Sequence, residues 1–253
     1  MSAIFKRELR SYFTSPLGYI YLAIFFLFEG YAFTYLYSYG SPSVEVIFPT
    51  LSTVIVFVTP VITMRLLSED RRQKVDQALL TAPVTVSGII LGKFFAALAV
   101  YGIAISPTIL YQIIVTMLAS PNWLVFLNGL AGAVLVGAAL ISIGMFISSL
   151  TESPIISCIL TLVAFLALLM MPNMLSLIPT EVSIDWAPLS WLGTAISSAL
   201  SFIVNSADKI GFVNLLSDFA GSVFHVVDVI YLLSVTAVFV FVSVRMVERR
   251  RWA

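Results

Sequence analysis

Six runs of this sequence are each long and apolar enough to cross a lipid bilayer: Leu17–Ser38, Val46–Met64, Phe94–Leu118, Trp123–Ser148, Pro154–Met171 and Val227–Val244. A helix needs about 20 such residues to span the hydrocarbon, and backbone inside lipid must bond to itself. Runs of this kind therefore fold as membrane helices. Composition agrees, with 60% of the 253 residues hydrophobic and 10% charged, at a mean hydropathy of +1.06. A soluble fold of this length could not hide so much apolar surface. The expected fold is all-α: one transmembrane domain over 1–253, built as a six-helix bundle. The first run is too long for a cleavable leader and lacks a small-residue cleavage site, so it is expected to stay as an anchor.

Basic residues set the orientation, because Lys and Arg are retained on the cytoplasmic side. They cluster before the first span (Lys6, Arg7, Arg10), between the second and third (Arg65, Arg71, Arg72, Lys74, Lys93) and after the sixth (Arg245, Arg249, Arg250, Arg251). With both termini inside, only Lys209 among the 13 Lys and Arg lies outside. An odd number of spans would strand the terminal arginines on the wrong side. The stretch 172–226 is ambiguous, since Leu192–Val204 and Gly211–Phe224 are apolar but short. Two half-helices that re-enter the outer leaflet, with Trp186 and Trp191 at the interface, are preferred to an eight-span alternative. At the start, Ile4, Phe5, Leu9, Tyr12 and Phe13 share one half of a helical wheel and Lys6, Arg7 and Arg10 the other. That pattern predicts a helix over residues 1–16 lying on the inner membrane surface.

Several chemistries are excluded or weak. The single His and single Cys rule out disulfides and multi-histidine or thiolate metal sites within the chain. Cys158 reads as a packing residue, and His225 beside Asp228 as an ordinary interfacial group. Gly88-Ile89-Ile90-Leu91-Gly92-Lys93-Phe94 imitates a phosphate-binding loop. It is one residue short between its glycines and carries Phe94 where magnesium binding needs Ser or Thr. No ATP hydrolysis is expected in this chain, nor any catalytic, cofactor or metal site. A net charge of zero gives no general field for nucleic acid.

Three features exceed what a passive anchor needs. In the cytoplasmic segment 65–84, Val75, Ala78, Leu79 and Ala82 follow helical i, i+3, i+4, i+7 spacing, with Glu69, Asp70, Arg71, Arg72, Lys74 and Asp76 around them. This predicts a short amphipathic helix stopped by Pro83, with mixed charge that suits a protein partner better than a lipid surface. The bland alternative is a solvated, topology-setting loop. In the fourth span Gly129, Ala133, Gly137, Gly144 and Ser148 lie along one helix face and permit close helix packing, within the subunit or between subunits. Glu29, about half-way along the first span, is costly there unless it lines a path, faces a partner or sits neutral and hydrogen-bonded.

Taken in order, the residues resemble the membrane-spanning permease of type-2 ABC transporters, within it the gliding-motility-type branch. The likeness is carried by Phe5-Lys6-Arg7-Glu8-Leu9-Arg10-Ser11-Tyr12-Phe13 with Ser15-Pro16-Leu17-Gly18-Tyr19-Ile20 at the start. Arg65, Glu69-Asp70-Arg71-Arg72, Leu79-Leu80-Thr81-Ala82-Pro83-Val84 and Gly92-Lys93-Phe94 continue it, and Gly221, Asp228, Tyr231 and Arg250-Arg251-Trp252 close it. One departure is Lys74-Val75-Asp76-Gln77, where the family often has Gly-Thr-Leu-Glu. The resemblance implies an exporter subunit in a prokaryotic plasma membrane. ATP and Mg would be bound by a separate ABC ATPase in two copies, alongside a second permease, identical or related. The segment 65–84 would carry the coupling helix, with Val75, Ala78 and Leu79 giving buried contact and Glu69, Asp70, Arg71, Arg72, Lys74 and Asp76 orienting charges. Two alternatives stand beside it: a scaffold or mechanical subunit of an ABC-type complex, and a secondary transporter using Glu29 as a proton site.

Overall fold

The computed structural model describes residues 2–38, 47–74, 85–118, 121–175, 219 and 226–251. The described residues contain helices and no strand. An amino-terminal helix α1 (Ser2–Thr14) is followed by α2 (Pro16–Ser38), α3 (Ile47–Thr63) and a five-residue turn of helix α4 (Ser68–Arg72). Then come α5 (Val86–Ala104), α6 (Pro107–Leu118), α7 (Trp123–Leu150), α8 (Pro154–Leu175) and α9 (Val226–Arg251). Among the described residues six stretches are long and apolar enough to cross a membrane, matching the six runs read from the sequence. The second, third and fourth are more than half buried inside the protein, whereas the first, fifth and sixth are a third buried or less. The core is thus α3, α5 and α7, and the outer helices turn exposed Ile, Leu, Val and Phe side chains to their surroundings.

The centre of the bundle is α7, packed against α3, α5, α8 and α9. Its small residues explain how. A Cβ on Gly129 would meet the Phe48 ring at 2.3 Å, one on Gly137 the Tyr101 ring at 2.2 Å, and one on Gly144 the Thr63 side chain at 2.5 Å. The Tyr101 hydroxyl donates to the Ala133 carbonyl at 2.8 Å. The small-residue face therefore receives side chains of this chain's own α3 and α5, close enough that only hydrogen fits at those glycines.

The third span starts earlier than its apolar run predicts. Its helix begins at Val86, capped by Thr85, whose hydroxyl accepts from the Gly88 N–H at 3.3 Å. A start at Phe94 follows from treating Lys93 as a loop residue, because a lone ammonium at depth is costly. Lys93 instead lies inside α5, 1% exposed, with carboxylates supplied by other helices. The span then breaks at Ile105-Ser106 and resumes at Pro107, which has no N–H to continue the helical ladder.

At the amino terminus α1 packs part of the apolar half of its wheel against α5 and α2. Ile4 and Tyr12 are buried while Lys6 and Arg10 are exposed. The corner into α2 is tight, since a Cβ on Gly18 would lie 2.2 Å from the Tyr12 carbonyl oxygen. The expected helix through Val75, Asp76, Ala78 and Leu79 and nearly all of the segment 172–226, including Trp186, Trp191 and Lys209, lie outside the described residues.

Candidate functional site

The described part of the segment 65–84 is built by the return of the second span. After α3 the chain turns through Met64–Leu67 into α4, and Ser148 at the foot of α7 fixes that turn. Its hydroxyl oxygen accepts from the Leu67 and Ser68 N–H groups at 3.1 and 3.0 Å and lies 3.2 Å from the Met64 carbonyl, to which it donates. One small polar side chain of the central helix thus satisfies backbone groups that the helix end leaves without partners.

Charges of the same segment then tie it to three neighbours. Lys93 Nζ lies 2.8 Å from Asp70 Oδ2 on α4 and 3.0 Å from Glu8 Oε1 on α1. Arg7 reaches the same Glu8 oxygen at 2.6 Å and approaches Asp70 at 3.9 Å. Two cations and two carboxylates therefore alternate in one neutral cluster joining α1, α4 and α5. Burial alone raises the Glu8 carboxyl, but Lys93 and Arg7, through charge and hydrogen bonds, more than offset it and hold it below its ordinary 4.5. Beside this cluster Arg65 forms a two-pronged pair with Glu69, and its other nitrogen donates to Ser15 Oγ at 2.6 Å. Arg71 pairs with Glu152 in the link between α7 and α8 and donates to the Ser149 carbonyl at 3.4 Å. The Tyr12 hydroxyl donates to the Ile62 carbonyl at 2.9 Å. Between α1 and α4 a polar cleft of about 330 Å³ remains, walled by Arg7, Glu8, Ser11, Tyr12, Arg65 and Glu69.

Of the residues that the sequence assigns to a partner contact, Glu69, Asp70 and Arg71 are thus already paired within the chain. Arg72 and Lys74 are exposed. Lys74 also takes a left-handed backbone at φ 56, the conformation that favours glycine. Glu8, Lys93, Ser15 and Glu152 complete the network, and the sequence reading gave none of them a role. The available signal was Glu8, the one acidic residue of a basic amphipathic helix.

Glu29 lies apart from this network, fully buried in α2, and neither of its carboxylate oxygens has a hydrogen-bond partner. Phe25, one turn before it, meets Tyr101 edge-on at 6.1 Å, and Phe33, one turn after it, stacks on Tyr111 at 4.4 Å.

The family model described as ABC-2 family transporter protein matches residues 6–207. This chain belongs to the ABC-2 transporter family. It is a multi-pass membrane protein, and that family's membrane domains serve as permease subunits that work with an ABC ATPase. No curated protein matches this ABC-2 chain. The matched range takes in α1 from Lys6 onward and the whole charge lattice, so the site lies inside the family's own domain.

Proposed function

We propose that this chain is the permease subunit of an ATP-driven exporter, in which a partner ATPase hydrolyses ATP and drives the bundle through the segment 65–84. The observation that carries the coupling is the buried Lys93–Glu8–Asp70 cluster. It fastens α4, which leads directly into Val75–Leu79, to the foot of the third span and to the surface helix α1. A displacement of that segment cannot leave α5 behind without exposing the buried Lys93 ammonium unpaired from its carboxylates, so it is transmitted to the core of the bundle.

In this reading Val75, Ala78 and Leu79 bury against the ATPase, and the exposed Arg72 and Lys74, with Asp76, face it as orienting charges. Glu69, Asp70 and Arg71 hold the segment in place. Two ATPase copies carrying ATP and Mg, and a second permease copy or relative, complete the assembly. The order of the amino-terminal, coupling and carboxy-terminal motifs supports the gliding-motility-type branch. Both termini lie in the cytoplasm of a prokaryotic cell.

The test is affinity purification of the full chain in mild detergent from its host, with and without Val75→Asp combined with Leu79→Asp. A Walker-motif ATPase is expected to copurify with the unaltered protein and to be lost, with its ATPase activity, from the variant. Retention of the ATPase by the variant would show that docking occurs elsewhere and would overturn the coupling assignment.

A further inference from the structure

The charges of α1 are divided between two faces. Ile4, Glu8 and Tyr12, four residues apart, turn toward the bundle, where Ile4 and Tyr12 are buried and Glu8 meets Lys93. Ala3, Lys6, Arg10 and Thr14 recur at steps of three and four along the other side, and all four are exposed. Among the described residues neither the Lys6 nor the Arg10 side chain has a hydrogen bond or ion pair. The helix's single acid, Glu8, is engaged inward. The outward stripe is therefore charged with one sign only.

That stripe lies at the end of a membrane span. Ser15 alone separates Thr14 from Pro16, where α2 begins, and its N–H bonds the Ser11 carbonyl at 3.1 Å. With no room for a Cβ on Gly18, the corner holds α1 against the foot of α2. Phe13 meets Tyr19 edge-on at 6.3 Å, and Tyr19 and Ile20 are exposed, so an apolar flank of α1 runs on into the outer surface of the first span. The flank toward α4 is different. Arg7 and Ser11 line the polar cleft there beside Glu8 and Glu69, and neither Lys6 nor Arg10 belongs to it. The mixed cleft suits a protein surface, whereas cations alone beside apolar side chains complement an anionic membrane surface.

We propose that the outward stripe of α1 docks on anionic phospholipid headgroups, with Lys6 and Arg10 as the cations that meet them. The opposite face of the same helix holds Glu8 against Lys93. A helix drawn to the membrane surface from outside is then held more firmly against α5, and the negative charge of the surrounding lipid regulates the lattice that fastens α4. A zwitterionic headgroup carries its own cation beside its phosphate and gives the stripe little net attraction. This face goes beyond the transport reading and stands whether or not an ATPase drives the bundle.

The full chain is placed in nanodiscs of phosphatidylcholine, with or without phosphatidylglycerol, and amide hydrogen exchange of α1 peptides is followed by mass spectrometry. Phosphatidylglycerol is expected to slow exchange in α1 about tenfold or more, since each cation at an anionic surface contributes roughly a factor of five. Exchange in α7 should not change. Lys6→Gln with Arg10→Gln should abolish the slowing and Lys6→Arg with Arg10→Lys should keep it, with α7 reporting that each variant is folded. Raised salt should shrink the slowing in the unaltered protein, which tests the same charges without any substitution. No slowing in the unaltered protein, slowing that persists in high salt, or equal slowing in a folded Gln variant would each overturn the assignment. Slowing produced in phosphatidylcholine discs by inorganic phosphate would make the stripe a site for free anions and overturn it as well.

Discussion

At the scale of single residues, the ammonium of Lys93 decides how the charged end of the bundle holds together. Replacing it by Met keeps the aliphatic volume but leaves Glu8 and Asp70 facing each other without their shared cation. Removal of one member of a buried charge pair typically costs about 3 kcal/mol or more, and we take the low end because both carboxylates keep some contact with water. Thermal unfolding in detergent should show the loss for Lys93→Met, and adding Glu8→Gln to it should restore part of the stability. An unchanged melting temperature would mean that the cluster contributes nothing net. Glu8 also gives a pH signature. Its folded value lies below the ordinary 4.5, so its contribution is complete above 4.5 and is lost as the pH falls through the lowered folded value. Protease protection of α1 should fall in that acidic window, and Glu8→Gln should flatten the dependence; equal slopes in both proteins would contradict the assignment.

Among elements, the packing of α7 is the most sharply testable. The Tyr101 ring that occupies the space over Gly137 is fully buried and tethered by its hydroxyl to Ala133. It cannot swing aside, so Gly137→Ala should destabilise by about 1–3 kcal/mol despite improving helix propensity. Tyr101→Leu in the same chain should relieve the clash. A Gly137→Ala protein as stable as the parent would show that α5 and α7 are further apart than described. The six helices were legible because apolar run length is read along the chain, and α1 was legible because its charged and apolar faces alternate at the helical period. Partnership was not legible. Lys93 reads as a loop cation when only its neighbours in sequence are visible, since Glu8 and Asp70 come from other elements. Likewise the charges of Glu69, Asp70 and Arg71 look free for a second protein until Arg65, Lys93 and Glu152 are seen to occupy them. The small residues of α7 announced close packing, and only the folded chain supplied Phe48, Tyr101 and Thr63 as what packs.

For the whole molecule, the charge distribution predicts a single orientation. With Cys158 replaced by Ala, a membrane-impermeant maleimide added to intact cells should label Lys209→Cys and leave Ser2→Cys and Ala253→Cys untouched until the membrane is opened. Labelling of either terminus from outside would reverse the proposed orientation and place the charge lattice on the face away from ATP.

The alliance of Glu8 with Lys93 also imposes an order on biogenesis. Glu8 leaves the ribosome before Lys93 does, so the amino-terminal helix exists through the emergence of two complete spans before this partner does. When the third span enters, its ammonium meets Asp70 and Glu8, both of which precede it in the chain. The third span is thus the step at which the nascent bundle becomes locked to the amino-terminal helix, because Lys93 joins Glu8 to Asp70.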